Sequence, residues 1–473
     1  MSEVSSTSPV FVPRRNFMTT PSPLAGISLD WGDSVECMDH LLIALQVSGL
    51  RVALVLVGAD WNIAGVLLIP LEFRKCHPGD DGGGSWHTML RMVRNGRDFC
   101  EGLLCVEQIW YRNFQPDPPQ PGHGGTNLSS WNCCWYRFTC RLDAASPMIA
   151  CDLVRTEPQR FNVSFCPGGR HGYWFSSSVR LPPQQPLPLM IPAEASSLLD
   201  ISEAGADGLP THWHRVQDLD WAYNQSSPSS DLNRILINET RPFDRDHAVS
   251  LVTIDGKLYL TPIRLVDGEV MLPRRFALPR GFRTKLAWTL APEGGGTLWF
   301  HATNLKKNPA KHESALWRVD YGANLVEARQ AKDAIRVTRV NEDHATKNCA
   351  VLDYGGIALA MWQGRTGIRT PYVLRCVIQH RLPGAERQVL PDWHSEPADE
   401  FLPSLPADEL SDIWAMGPNA EMMKPRIVPR ASFRFGSRLG AAILRWQLDP
   451  CRAELTIGEV TFDASGTGLF DHP

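Results

Sequence analysis

The segment "THWHRVQDLD" (211–220) concentrates residue types that do chemistry. His212 and His214 are two apart, so on a strand both imidazoles share one face. That pattern suits half of a metal site, and Asp218 and Asp220 follow within reach of the same segment. Two other stretches pair acids with a histidine just before a β-rich run: "DRDHAVS" (244–250) with Asp244, Asp246 and His247, and "NEDHATKN" (341–348) with Asp343 and His344. A strand-entry carboxylate–imidazole pair could transfer protons. The recurrence of the composition favours a turn motif over a unique catalytic group. The glycine-dense "HPGDDGGGSWH" (77–87) lacks the lysine of a phosphate-cradling loop, and Asp80 and Asp81 would repel phosphate. Those carboxylates could hold Ca²⁺, but the ligand spacing of a calcium loop is absent. Cys76 and His77 are adjacent, so on a strand they point to opposite faces and make a poor dyad.

None of GxSxG, HExxH, GxGxxG or a zinc-type CxxC pair occurs. The sequence therefore assigns no catalytic residue, no cofactor-binding residue and no metal ligand. His212 and His214 are expected to be decoration on a strand.

The chain that must position these groups has 473 residues, 43% hydrophobic and 21% charged, an ordinary globular composition. Its net charge of −4 and the absence of a basic run argue against nucleic acid as a partner. The most apolar stretch, 41–71, is broken by Arg51, Asp60 and several glycines. It never reaches the ~18 uninterrupted residues of a membrane helix, so buried strands and no membrane association are expected. The N-terminus has no secretory pattern. A cytoplasmic location follows as an expectation, and with it twelve cysteines that form no disulfide framework. On the same footing the four sequons at Asn127, Asn162, Asn224 and Asn238 carry no meaning. Residues 1–25 read as a flexible tail.

High counts of Trp (16), Gly (37) and Pro (37) suit short strands joined by turns. In "VSLVTIDGKLYLTPIRLVDGEVML" (249–272) Asp-Gly pairs separate three β-rich runs, an antiparallel meander. Downstream, "TKLAWTLAP", "TLWFHATNL", "ALWRVDY" and "LVEARQ" read as four strands. The order repeats in "NCAVLDY", "IALAMWQG", "PYVLRCVIQHRL" and "RQVL". Third strands are expected to begin near Val66, Trp135, Trp213, Leu258, Leu316, Leu374 and Ile443, which aligns "HWHRVQDLD" with "ALWRVDYGA". One helical decoration is expected near 406–417.

Four antiparallel strands repeated about seven times resemble a β-propeller. The resemblance is one of pattern over nearly the whole chain from about Gly26. No WD40, kelch or sialidase signature recurs, so no family is named. The expected architecture is all-β: one propeller domain over 26–473, with about seven blades (six or eight as alternatives) and insertions near 113–130, 181–210 and 392–410. A two-domain β-sandwich protein is the structural rival.

Loops on a rigid scaffold carry binding. The expected function is a non-catalytic interaction platform, a subunit or adaptor of a multi-protein bacterial system with protein partners. Its contact segments would be 113–130, the Pro-rich 181–192 and the acidic 392–410, which contains Phe401, Leu402 and Leu405. The alternatives are a propeller hydrolase or lyase, which would need paired carboxylates with separated pKa values, and a ligand- or glycan-binding propeller. No cofactor is expected. Oligomeric state is not legible in the sequence.

Overall fold

A computed structural model describes residues 9–19, 29–47, 51–71, 84–96, 99–114, 125–142, 147–158, 160–167, 170–180, 197–216, 235–244, 246–254, 257–271, 273–278, 282, 286–290, 296–304, 313–326, 334–354, 356–367, 372–381, 393–398, 426–448 and 451–461. Twenty-eight strands make seven four-stranded sheets. The fold is an all-β, seven-bladed β-propeller.

Six sheets take their strands in chain order. The first is β2 (Leu29–Cys37), β3 (His40–Val47), β4 (Arg51–Val57) and β5 (Ile63–Pro70). The second is β6 (Gly84–Asn95), β7 (Phe99–Phe114), β8 (Gly125–Arg141) and β9 (Met148–Pro158). The third is β10 (Arg160–Pro167), β11 (Tyr173–Arg180), β12 (Ser197–Glu203) and β13 (His214–Arg215). The fourth is β14 (Ile235–Pro242), β15 (His247–Ile254), β16 (Lys257–Arg264) and β17 (Arg274–Phe276). The fifth is β18 (Leu286–Leu290), β19 (Thr297–Asn304), β20 (Glu313–Tyr321) and β21 (Ile335–Arg339). The sixth is β22 (Ala345–Tyr354), β23 (Ile357–Arg365), β24 (Val373–Arg381) and β25 (Trp393–Ala398).

The seventh sheet joins both ends of the chain. β26 (Arg426–Phe435), β27 (Arg438–Leu448) and β28 (Cys451–Thr461) are completed by β1 (Val10–Thr19), paired to β28 from Val10↔Thr461 to Thr19↔Ala453. The sequence reading placed these N-terminal residues in a flexible tail. Their alternation, "VFVPRRNF", is short and broken by Pro13, and only the partner strand reveals it as a blade edge.

A bulge recurs between the first and second strands of a sheet. The register shifts at Trp31/Asp33, Met92/Arg94, Phe161/Ser164, Ile237/Thr240, Lys347/Ala350 and Pro429/Ala431. A bulge adds local right-handed twist. Its return in the six sheets whose first pairing is described is a repeat that no residue motif announces.

The middle strands explain the continuous apolar runs of the sequence. β3 ("HLLIALQV") and β4 ("RVALVLV") are buried along nearly their whole length, on both faces. Each fully buried Leu or Val there contributes about 1.5–3 kcal/mol. No helix of the described residues is long and apolar enough to cross a membrane.

The chain divides into two compact units, one of residues 1–70, 298–320 and 337–473, the other of 71–297 and 321–336. The first unit holds a core in which Trp31 stacks on Phe433 at 5.2 Å and Trp61 meets Phe435 edge-on at 5.4 Å. In the second, Phe175 lies edge-on to Trp135 at 5.3 Å and to Tyr173 at 5.3 Å.

Several expected boundaries shift. Trp135, Leu258, Leu316 and Leu374 do start or occupy third strands. Val66 lies on a fourth strand, Ile443 on a second, and Trp213 immediately precedes β13, a fourth strand. The alignment of "HWHRVQDLD" with "ALWRVDYGA", which forms β20, therefore fails by one strand. The fourth strand of the fifth sheet is 335–339 rather than "LVEARQ". That of the sixth is 393–398, inside the expected contact segment 392–410, while "RQVL" lies outside the described residues. Likewise 197–203 of the expected 181–210 insertion is β12. The expected helix at 406–417 and the Pro-rich 181–192 also lie outside the described residues. Seven described cysteines are free thiols, and Cys37 and Cys100 are disulfide-bonded, a pairing that the expectation of no disulfide framework did not address.

Candidate functional site

His212 and His214 are both exposed, and their rings lie 4.7 Å apart at 80°. Alternation does put them on one side, as their spacing required. Among the described residues, neither histidine belongs to a group of three His, Cys, Asp or Glu side chains that could hold a metal. Asp218 and Asp220 lie outside those residues.

The residue between the histidines does more. Trp213 points the other way and donates its indole N–H to Glu157 Oε1 at 3.2 Å. The Arg160 guanidinium covers its ring at 3.9 Å. Glu157 Oε2 accepts a second indole N–H, from Trp135 at 3.3 Å. Glu157 also pairs with Arg155 and, at 3.5 Å, with Arg160, which reaches Asp200 Oδ2 at 3.3 Å. Two carboxylates thus share a site, with the Arg160 guanidinium between them. The arrangement pins β13 to β9 and β10.

The other candidates resolve as turns. Asp244 Oδ1 accepts the backbone N–H groups of Asp246 and His247, each at 2.8 Å, and the His247 ring at 2.9 Å. Asp244 is half exposed, and this is a solvated cap on the entry to β15. Asp343 is buried and accepts the Trp362 indole at 2.7 Å and pairs with Arg375 Nε at 2.9 Å. Asn341 Oδ1 accepts the Leu316 N–H at 2.9 Å. The "NEDHATKN" segment therefore ties the entry of β22 to Leu316, Trp362 and Arg375. Of "HPGDDGGGSWH", only Gly84–His87 are described, at the start of β6.

Sequence reasoning missed a device that links these places. An indole N–H meets a carboxylate at Trp61–Glu459 (3.0 Å), Trp299–Asp353 (2.8 Å), Trp362–Asp343 and the doubly served Glu157. Glu459 is nearly buried and also accepts from Arg14 at 2.8 Å and Arg438 at 2.9 Å. Burial pushes its carboxyl up, but the hydrogen bonds from Arg14, Trp61 and Arg438 together prevail and hold it below the ordinary value. The high Trp count was the available signal. The partners are up to 398 residues away, so no local pattern could show them.

A different kind of site is built by β7 and β8. They pair from Phe99↔Arg141 to Phe114↔Gly125. β6 accompanies β7 only to Trp110, and β9 accompanies β8 only to Asn132. Among the described residues, the four pairs Tyr111–Phe114 with Gly125–Leu128 therefore form a two-stranded arm with neither β6 nor β9 beside it. At roughly 3.3 Å per residue, the seven residues 125–131 carry β8 about 23 Å past its last β9 partner. The expected loop at 113–130 is in part this arm.

No family model matches the chain, and no curated protein matches it either. Solved structures similar to it include the polysaccharide lyase Uly1 (8% identity, 95% of this chain and 98% of that one, TM-score 0.46). The WD40 domain of SCAP from fission yeast is similar at 9% identity (94% and 98% covered, TM-score 0.37). The Dos1 propeller is similar at 6% identity (94% of each chain, TM-score 0.34).

Proposed function

We propose that the protein is a non-catalytic interaction platform, a subunit or adaptor whose partners are proteins, and that the β7–β8 arm is a contact element. The arm is the observation that carries this reading. A two-stranded ribbon without further strands is marginal in water, so by itself it adds little stability. Its backbone edges are those on which a partner's extended segment can add a strand. Four of the described carboxylates, Glu157, Asp343, Asp353 and Glu459, each accept an indole N–H and so serve packing. We place this activity in the cytoplasm on the strength of the seven free thiols, with the disulfide-bonded Cys37 and Cys100 counting against it.

The test is to replace residues 111–129 with Asn-Gly, which closes a tight turn between the paired Trp110 and Ser130. Full-length and trimmed proteins are compared for partners retained from extracts of the native host. The expected result is an unchanged thermal transition with loss of the retained protein. Retention of the same partners by the trimmed protein would sink the arm as the contact. Turnover of a polysaccharide or peptide by the purified protein would sink the non-catalytic reading.

A further inference from the structure

Outer strands of a sheet offer unpaired backbone groups to other chains, and natural proteins block them with charge, proline or bulges. Each sheet has two edge strands, and among the first strands β18, "LAWTL", is also uncharged; the seven strands at the other edge, where each blade ends, compare as follows. β1 contains Arg14 and Arg15, β9 Asp152, β13 Arg215, β17 Arg274 and Arg275, β21 Arg336 and Arg339, and β25 Glu396. β5, "IAGVLLIP", contains no charged residue, and the run from Trp61 to Leu71 has none either. Its bulge lies at the very start, between the pairs Leu56↔Gly65 and Val57↔Ile63. From Gly65 the ladder is regular up to Pro70, its last residue. Val66 and Leu68 share one face and are 55% and 50% exposed, on a strand whose Ile63 and Pro70 are also exposed and whose Ile69 is buried.

We propose that β5 pairs with β5 of a second copy of this chain, antiparallel and about a two-fold axis. Charge selects this occupant. Any ionisable group in the centre of a strand would face a like group in a symmetric pair, at a cost. This strand alone among those seven has none to clash. A two-fold axis through Leu67 sets Val66 of each copy opposite Leu68 of the other. Their apolar faces then form one patch, a closed isologous contact that leaves no edge for further growth.

The experiment measures mass in solution by sedimentation equilibrium, from low to high micromolar concentration. The wild type is expected to move from monomer to twice the monomer mass and no further. Val66→Lys with Leu68→Lys puts like charges opposite each other and should give monomer at every concentration, with an unchanged thermal transition. Val66→Lys with Leu68→Glu puts Lys opposite Glu twice and should restore the dimer. A monomeric wild type, a Lys/Lys variant that still dimerises or a Lys/Glu variant that does not would each overturn the pairing. The arm-trimmed protein should dimerise normally, so failure of this inference and failure of the arm as a contact remain distinguishable.

Discussion

At the scale of single residues, long-range carboxylate anchors dominate. Glu459 takes hydrogen bonds from a residue of β1, one of β27 and Trp61 of the turn before β5. Removing a charge so enclosed leaves its cationic partners uncompensated. Arg14 and Arg438 are about a third and a quarter exposed, which moderates the cost. Glu459→Gln should lower unfolding stability by about 2 kcal/mol at neutral pH, measured in urea. The sign with pH follows from the direction of its shift. A carboxyl held below its ordinary value of 4.5 stabilises fully above that pH and loses the contribution as pH falls through the folded pKa. The difference between wild type and variant should therefore shrink on acidification. A gap that grows toward acid would contradict the assignment.

The segment around Trp213 invites a second comparison at this scale. His212→Ala with His214→Ala removes exposed rings and should shift stability by no more than about 0.5 kcal/mol. Trp213→Ala removes an indole that bonds Glu157 and lies under Arg160, and should cost about 3 kcal/mol. Chemical denaturation of the two variants reads both. If the histidine variant is the weaker one, or if it abolishes Zn²⁺ binding seen in the wild type, the histidines are more than decoration.

At the scale of elements, strand edges matter more than strand interiors. β1 supplies the outer edge of the closing sheet, brings Arg14 to Glu459 and lays buried Phe11 against the sheet at Gly458, where a Cβ would collide with the Phe11 ring. Deleting residues 1–19 exposes the β28 edge and discards these contacts. The expected loss is at least about 3 kcal/mol, from one buried aromatic and one partly buried ion pair. Equilibrium unfolding of the truncated chain measures it, and an unchanged midpoint would mean the strand is dispensable. The two-stranded β7–β8 arm shows the converse, since its removal should leave the folding transition alone and alter what the protein holds.

At the scale of the whole molecule, the sequence by itself determined the class and the count. Asp-Gly and Gly-Gly turns between runs of β-branched and aromatic residues are local signals, and they sufficed for four-stranded units, about seven of them, without a helical core. The cap at Asp244 is made by neighbours in sequence, whereas Asn341 and Asp343 reach Leu316, Trp362 and Arg375, far off in the chain. Only the tertiary structure decided which strand of a blade each segment becomes. Trp213 and Leu316 both precede an Arg-Val pair, yet one leads into an outer strand and the other lies on a third. Strand position depends on what lies alongside, not on the strand's own alternation. It also decided that residues 10–19 complete the last sheet, that Trp61 answers Glu459, and that β5 lies at a sheet edge. The first two join residues far apart in the chain, and the free energy that selects all three comes from burial and pairing that exist only once the sheets have formed.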